Sequence, residues 1–286
     1  MTPAFGARLA AAMADLGPLC VGIDPHASLL AAWGLPDDPE GLRRFALTTV
    51  EAVAGAVPAI KPQAAFFERH GSAGVAVLEE TIAAGRAAGL LVVVDAKRGD
   101  IGSTMDAYAD AFLRDGSPLA GDAVTLSPYL GFGSLSPAVR LAGRTGRGLF
   151  VLALTSNPEG AAVQHARAAD GTPVAVSVAR AAAALNATEI RLTGAPLGSV
   201  GLVVGATVGD AAARLGLDLA AVRGPLLAPG VGAQGAGAAE LEAVFGDARA
   251  AVLAASSRGV LTAGPDPAAL RAAALRARDE AAVALR

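Results

Sequence analysis

The chain has 286 residues, 53% of them apolar, with 35 glycines and 17 prolines, so it can bury a large core while turning often. A net charge of −3 without any block of like charges excludes anonymous polyanion binding, and no nucleic-acid partner is expected. The single cysteine, Cys20, excludes an internal disulfide and points to a reducing cytoplasm.

The positive mean hydropathy, +0.49, reflects alanine-rich helices rather than a membrane segment. The longest uncharged stretches, 123–139 and 193–209, are interrupted by glycine and proline. The amino-terminal "MTPAFGARLAAAMADLG" lacks the basic start and continuous apolar core of a signal peptide and reads as a helix of the folded protein. Eight strand-like runs follow: "LCVGID" (19–24), "VPAIKP" (57–62), "LLVVVDAK" (90–97), "DAVTLS" (122–127), "LFVLALT" (149–155), "VGLVVGA" (200–206), "PLLAPG" (225–230) and "AAVLAAS" (250–256). Each leads through a polar or glycine-rich turn into an alanine-rich stretch with helical spacing. The stretch 157–199 exceeds one crossover and reads as a decorated connection. "FGARLAAAM" and the carboxyl-terminal "ALRAAALRARDEAAVALR" read as amphipathic helices covering the barrel, with no membrane role needed.

Apolar strands alternating with helices indicate a parallel sheet whose outer side is covered. Eight repeats over about 250 residues favour a single α/β domain, a closed (β/α)8 TIM barrel over residues 1–286, above an open doubly wound sheet. In such a barrel the chemistry gathers at the carboxyl ends of the strands, and the polar residues here do the same: Asp24, Lys61, Asp95 with Lys97, Thr125 with Ser127, Thr155 with Ser156, and "SSRG" after the eighth run.

Alternation along a strand sends Asp95 and Lys97 to one wall while Ala96 faces away. Asp100 lies beyond Gly99, in a loop before a helix expected to start at Ser103 with Asp106 as its capping-box partner. A structural ion pair could account for any one of these charges. Together with Lys61 on the neighbouring strand they form an array that is costly to bury unless it is used. A second constellation joins "PGVGAQGAG" (229–237) to "SSRG" (256–259): glycines allow close backbone approach to an anion, and Arg258 adds charge, so the loops after strands seven and eight read as a phosphate site. His26, His70 and His165 show no metal-ligand spacing, and Trp33, Phe66 and Phe67 read as packing residues.

"DAKRGDI" matches the D-x-K-x-x-D-I signature of the orotidine 5'-phosphate decarboxylase family, and "GIDP", "IKPQAAFFE", "TLSPYLG", "TSNPEG", "VVGAT", "PGVGAQG" and "SSRG" continue the resemblance in order from about residue 20 to 260. The chain is most similar to the longer bacterial branch. The resemblance implies conversion of orotidine 5'-monophosphate to UMP and carbon dioxide, in the last step of de novo pyrimidine synthesis, with no metal or organic cofactor. It implies a charged catalytic tetrad of Lys61, Asp95, Lys97 and Asp100, with Asp100 and Thr104 reaching across a homodimer interface. Asp24 would bind a ribose hydroxyl and Ser156 the pyrimidine, although "NPEG" after it departs from the commoner "HPG". Gln234 and Arg258 would hold the phosphate, assisted by backbone groups around Gly232 and Gly259.

Two other readings stay open at this level. The magnesium-dependent sugar-phosphate aldolases and decarboxylases of the same fold share D-x-K-x-x-D, but place an acidic metal ligand where this chain has Lys61. A non-catalytic phosphate-binding barrel would explain the glycine-rich loops but not the four charges.

Overall fold

The computed structural model describes residues 3–231 and 236–286. Eight parallel strands close into a barrel in sequence order: β1 (Leu19–Ile23), β2 (Ala59–Pro62), β3 (Leu91–Arg98), β4 (Ala123–Leu126), β5 (Gly148–Leu154), β6 (Val200–Val204), β7 (Leu226–Pro229) and β8 (Val252–Ser256). β8 returns to pair with β1, so no edge is left open. All eight expected runs are strands, with ends shifted by one or two residues, and the open-sheet alternative is excluded.

Side-chain alternation divides each strand between two cores. Residues such as Val21, Ile60, Val92, Val94 and Val124 point outward and pack with the surrounding helices, for example Pro39–Val53 and Gly71–Ala87. Cys20, Ala59, Leu91, Val93, Ala123, Phe150, Val203, Leu227 and Leu253 form a separate interior cluster. Two residues further along the same inward series lie Lys61 after Ala59, Asp95 after Val93 and Thr125 after Ala123. The parity that builds the apolar interior thus carries polar groups to its carboxyl-terminal mouth.

The amino-terminal helix, Phe5–Leu16, is present and covers the barrel at its amino-terminal end. Its Phe5 and Leu9 belong to the interior cluster and close the amino-terminal end. Phe5 meets Phe150 edge to face at 5.9 Å. Gly148 makes room for it, since a Cβ there would lie 2.0 Å from the Phe5 ring. Arg8 anchors the helix to the Asp122 carboxylate at 2.5 Å and to the Gly146 carbonyl at 3.1 Å. Amphipathic spacing shows that a face is buried, but not which surface receives it.

The segment 157–199 holds a 3-10 turn (Pro158–Gly160), a short helix (Ala161–Gln164), an antiparallel bridge between Arg167 and Pro173, and the long helix Val174–Thr193. After β3 the helix runs Gly102–Leu113, one residue earlier than expected and without the Ser103–Asp106 capping box. The Asp100 carboxylate accepts the Ile101 N–H at 2.8 Å, and Asp106 faces Arg140 at 3.8 Å.

Candidate active site

Asp95 is the hub of the barrel mouth. Its Oδ2 accepts Lys61 Nζ at 2.8 Å and Gln63 Nε2 at 3.0 Å; its Oδ1 accepts Lys97 Nζ at 2.6 Å and the Thr125 hydroxyl at 2.8 Å. Four donors fill the roughly four lone-pair positions that a carboxylate offers. Gln63 is brought there by a parallel bridge to Asp95, which extends the β2–β3 pairing past the end of β2.

Burial works against the Asp95 charge, yet Lys61 and Lys97 hold its carboxyl well below the usual carboxylate range. Burial likewise works against the Lys61 ammonium, but Asp95 and Asp24 raise its proton affinity above the ordinary lysine range. The ion pair is therefore charged at neutral pH. The side chains of Lys61 and Asp95 are each 7% exposed whereas that of Lys97 is 44% exposed, so Lys97 is the cation of this array that a ligand can reach.

The route by which Lys97 arrives is irregular. The β3–β4 register breaks between Val94 and Arg98, and Lys97 has φ 48°, in the left-handed region that a lysine rarely occupies. The expected meeting of Lys97 with Asp95 occurs, but through a bulge rather than through plain alternation.

Asp24 follows β1 and lies 3.9 Å from Lys61 Nζ. Ser257 donates its hydroxyl to Asp24 Oδ2 at 2.6 Å, in a space that exists because residue 22 is glycine: a Cβ there would sit 1.9 Å from Ser257 Oγ. Asp24 Oδ1 is buried without a hydrogen-bond partner, an acceptor ready for a ligand hydroxyl. Burial pushes the Cys20 thiol, deeper in the barrel, up to about 12, which makes it a core residue and not a nucleophile.

The remaining candidates sit on loops at the same end. Asp100 is half-buried and engaged with Ile101, outside the hydrogen bonds of the Asp95 hub. Thr104 and Ser156 are exposed, Thr104 in the first turn of its helix and Ser156 just after β5. Arg258 and Gly259, both exposed, open the short turn of helix after β8, whose other two residues, Val260 and Leu261, are buried. Gly232 and Gln234 lie outside the described residues. Gln63, Thr125 and Ser257 complete the site without having been assigned roles from sequence. Their signal was positional, since each stands at or just beyond the carboxyl end of a strand.

Among the described residues no group of three His, Cys, Asp or Glu side chains could hold a metal ion. A mostly apolar cavity of about 630 Å³, lined by Met13, Leu219, Val252 and Leu285, opens at the barrel's amino end and shares no residue with the charged array.

A family model described as "Orotidine 5'-phosphate decarboxylase / HUMPS family" matches residues 17–273. The orotidine 5'-phosphate decarboxylase of Salinispora arenicola is 62% identical over 281 residues, covering 98% of both chains. That of Streptomyces coelicolor is 62% identical over 272 residues, covering 95% of both. Among solved structures, a Streptomyces avermitilis protein provisionally given the same name superposes with a TM-score of 0.93 at 62% identity, covering 99% of this chain and 96% of that one. The Leishmania donovani OMP decarboxylase superposes at 0.73 with 32% identity, covering 99% and 98%. With its closed barrel, its Asp95 hub and these matches along nearly its whole length, the chain belongs to the orotidine 5'-phosphate decarboxylase / HUMPS family, as an enzyme of the carboxy-lyase side that its relatives represent.

Proposed function

We propose that the protein decarboxylates orotidine 5'-monophosphate to UMP and carbon dioxide, the closing step of de novo pyrimidine synthesis, in the cytoplasm and without metal or organic cofactor. The observation that carries this reading is the pairing of two ammonium groups on one buried carboxylate, with only Lys97 accessible from the mouth.

Loss of carbon dioxide from C6 leaves an electron pair in the plane of the pyrimidine ring, where no adjacent π-acceptor can take it up. A fixed cation is then the effective stabiliser, since it needs no reorganisation as the charge develops. Lys97 supplies that cation and afterwards delivers a proton to C6. Asp95 orients Lys97 through their 2.6 Å ion pair, and faces the substrate carboxylate with a negative charge that departure of carbon dioxide relieves. Lys61 holds Asp95 in place and links it to Asp24, whose unpartnered Oδ1 suits a ribose hydroxyl.

In this reading Ser156 contacts the pyrimidine, while Arg258, Gln234 and backbone groups around Gly232 and Gly259 hold the 5'-phosphate. Binding energy from that distant group drives closure over the ring. The active unit is a homodimer of single-barrel subunits, with Asp100 and Thr104 entering the site of the opposite subunit. Ile101, Tyr129 and Leu130, large apolar side chains left exposed on the loops after β3 and β4, support a covered surface there.

The magnesium-dependent alternative is disfavoured by the donor set, because Lys61 stands beside Asp95 and four donors already occupy the Asp95 oxygens. The test is decarboxylation of orotidine 5'-monophosphate by the purified protein, followed by ultraviolet absorbance with excess chelator present. Undiminished turnover is expected. Turnover that chelator abolishes, or binding of UMP without any turnover, would replace this reading by one of its rivals.

A further inference from the structure

β3 and β4 pair at Val93–Ala123 and Val94–Val124, and resume only at Arg98–Leu126. Three residues of β3, including both Asp95 and Lys97, thus stand opposite one residue of β4, Thr125. The Lys97 N–H is bonded to Thr125 Oγ1 at 2.9 Å, and the same oxygen lies 2.8 Å from Asp95 Oδ1. A hydroxyl has one proton to give. Because the Lys97 contact is itself an N–H donor, that proton must point to Asp95. The resulting chain, from the Lys97 amide through the Thr125 hydroxyl to the Asp95 carboxylate, has a single direction, and it closes a ring through Lys97 Nζ, which returns to the same Asp95 oxygen.

Thr125 is buried and the one proton of its hydroxyl is used inside this ring, so it has no donor left for a substrate. It stands at the bulge where Lys97 adopts its left-handed backbone, a conformation that persists only when its surroundings hold it.

We propose that Thr125 is a positioning residue for the decarboxylation: its hydroxyl holds the Lys97 peptide in the bulge and Asp95 Oδ1 beside it, and so sets where the Lys97 ammonium points. The proposal rests on the reaction proposed above. It requires the hydroxyl and not merely the volume, since valine fills the same space and makes neither bond, whereas serine can make both.

The test compares the full-length wild type with Thr125→Val and Thr125→Ser, measuring decarboxylation kinetics, UMP affinity and the crystal structures of wild type and valine variant. The expected result is a fall in kcat of about 30-fold or more for Thr125→Val, with KM and UMP affinity within about threefold, and recovery to within about threefold of wild type in Thr125→Ser. A valine variant with unchanged kcat, one altered only in KM, or a serine variant as impaired as valine overturns the proposal. Should Thr125→Val not fold, Thr125→Ala takes its place with the same expectations. If the wild type itself does not decarboxylate the nucleotide, the proposed reaction fails, and the structures still decide the positioning claim. Lys97 is expected to leave its left-handed conformation, or its Nζ to leave Asp95 Oδ1, when the hydroxyl is removed; an unmoved Lys97 overturns it.

Discussion

Lys61 Nζ lies 2.8 Å from Asp95 Oδ2, with both side chains almost wholly withdrawn from solvent. Each group supplies the charge that makes burial of the other tolerable. Removing either partner therefore leaves an uncompensated charge in the barrel mouth.

Asp95→Asn is expected to lower stability at pH 7 by about 3–5 kcal/mol, because Lys61 loses its buried counter-ion. The pH dependence follows from the directions of the two shifts. A carboxyl lowered by folding stabilises fully above its unfolded value of about 3.9 and loses that contribution as pH falls toward the folded value. A lysine raised by folding stabilises fully below about 10.4 and loses its contribution as pH rises through the folded value. Urea unfolding of wild type and variant should show a gap that is flat from about pH 5 to 9 and narrows below about pH 4. A gap independent of pH down to 3 would contradict the assignment of charge to Asp95.

The hydrogen bond from Ser257 to Asp24 predicts a binding defect. Ser257→Ala frees Asp24 Oδ2 to rotate, and is expected to raise KM by about fivefold while kcat changes less than twofold. Gly22→Ala should act in the same direction, because its methyl group would occupy the position of the Ser257 hydroxyl. Steady-state kinetics decide this, and a change confined to kcat would remove Asp24 from substrate binding.

A site shared between subunits predicts complementation. Lys97→Ala and Asp100→Ala chains, each nearly inactive alone, should on subunit exchange recover about one quarter of wild-type activity, since half of the dimers are mixed and one of their two sites is native. Mixing that restores nothing, despite exchange verified by mass spectrometry, would mean that each chain builds its own site.

The amino-terminal plug predicts loss of stability without loss of chemistry. Phe5→Ala empties the space above Gly148 and should cost about 3–5 kcal/mol in denaturant unfolding. Below its melting temperature the variant should keep the wild-type kcat, because the plug and the charged array lie at opposite ends of the barrel. An inactive but stable variant would show that the ends are coupled.

Much of this architecture was legible from residue order. Short β-branched runs ending in polar residues gave the eight strands, and inward alternation gave the grouping of Lys61 with Asp95, whereas Lys97, expected there on the same ground, arrives by another route. The bulge at Lys97 was not legible, because it arises from the stagger between β3 and β4 as the barrel closes, and nothing in "VVVDAKRGD" marks it. Thr125 stood in the inward series after Ala123, yet its two partners belong to another strand and depend on that bulge. The Ser103–Asp106 spacing fits a capping box, but the Asp100 carboxylate takes the Ile101 N–H and the helix starts a residue earlier. The side-chain clips around Arg98, which pairs with Glu68 and lies over the rings of Tyr108 and Phe112, likewise depend on tertiary neighbours. Arg98 thus packs between the helices Ala64–Glu68 and Gly102–Leu113.

The central claim is that the Lys97 ammonium stabilises and then protonates the C6 carbanion. Its most direct test is the rate of orotidine 5'-monophosphate decarboxylation by Lys97→Ala against wild type, with UMP affinity measured on both. The account predicts a loss of at least about 10³-fold in kcat with UMP still bound. A Lys97→Ala enzyme within tenfold of wild type would contradict it.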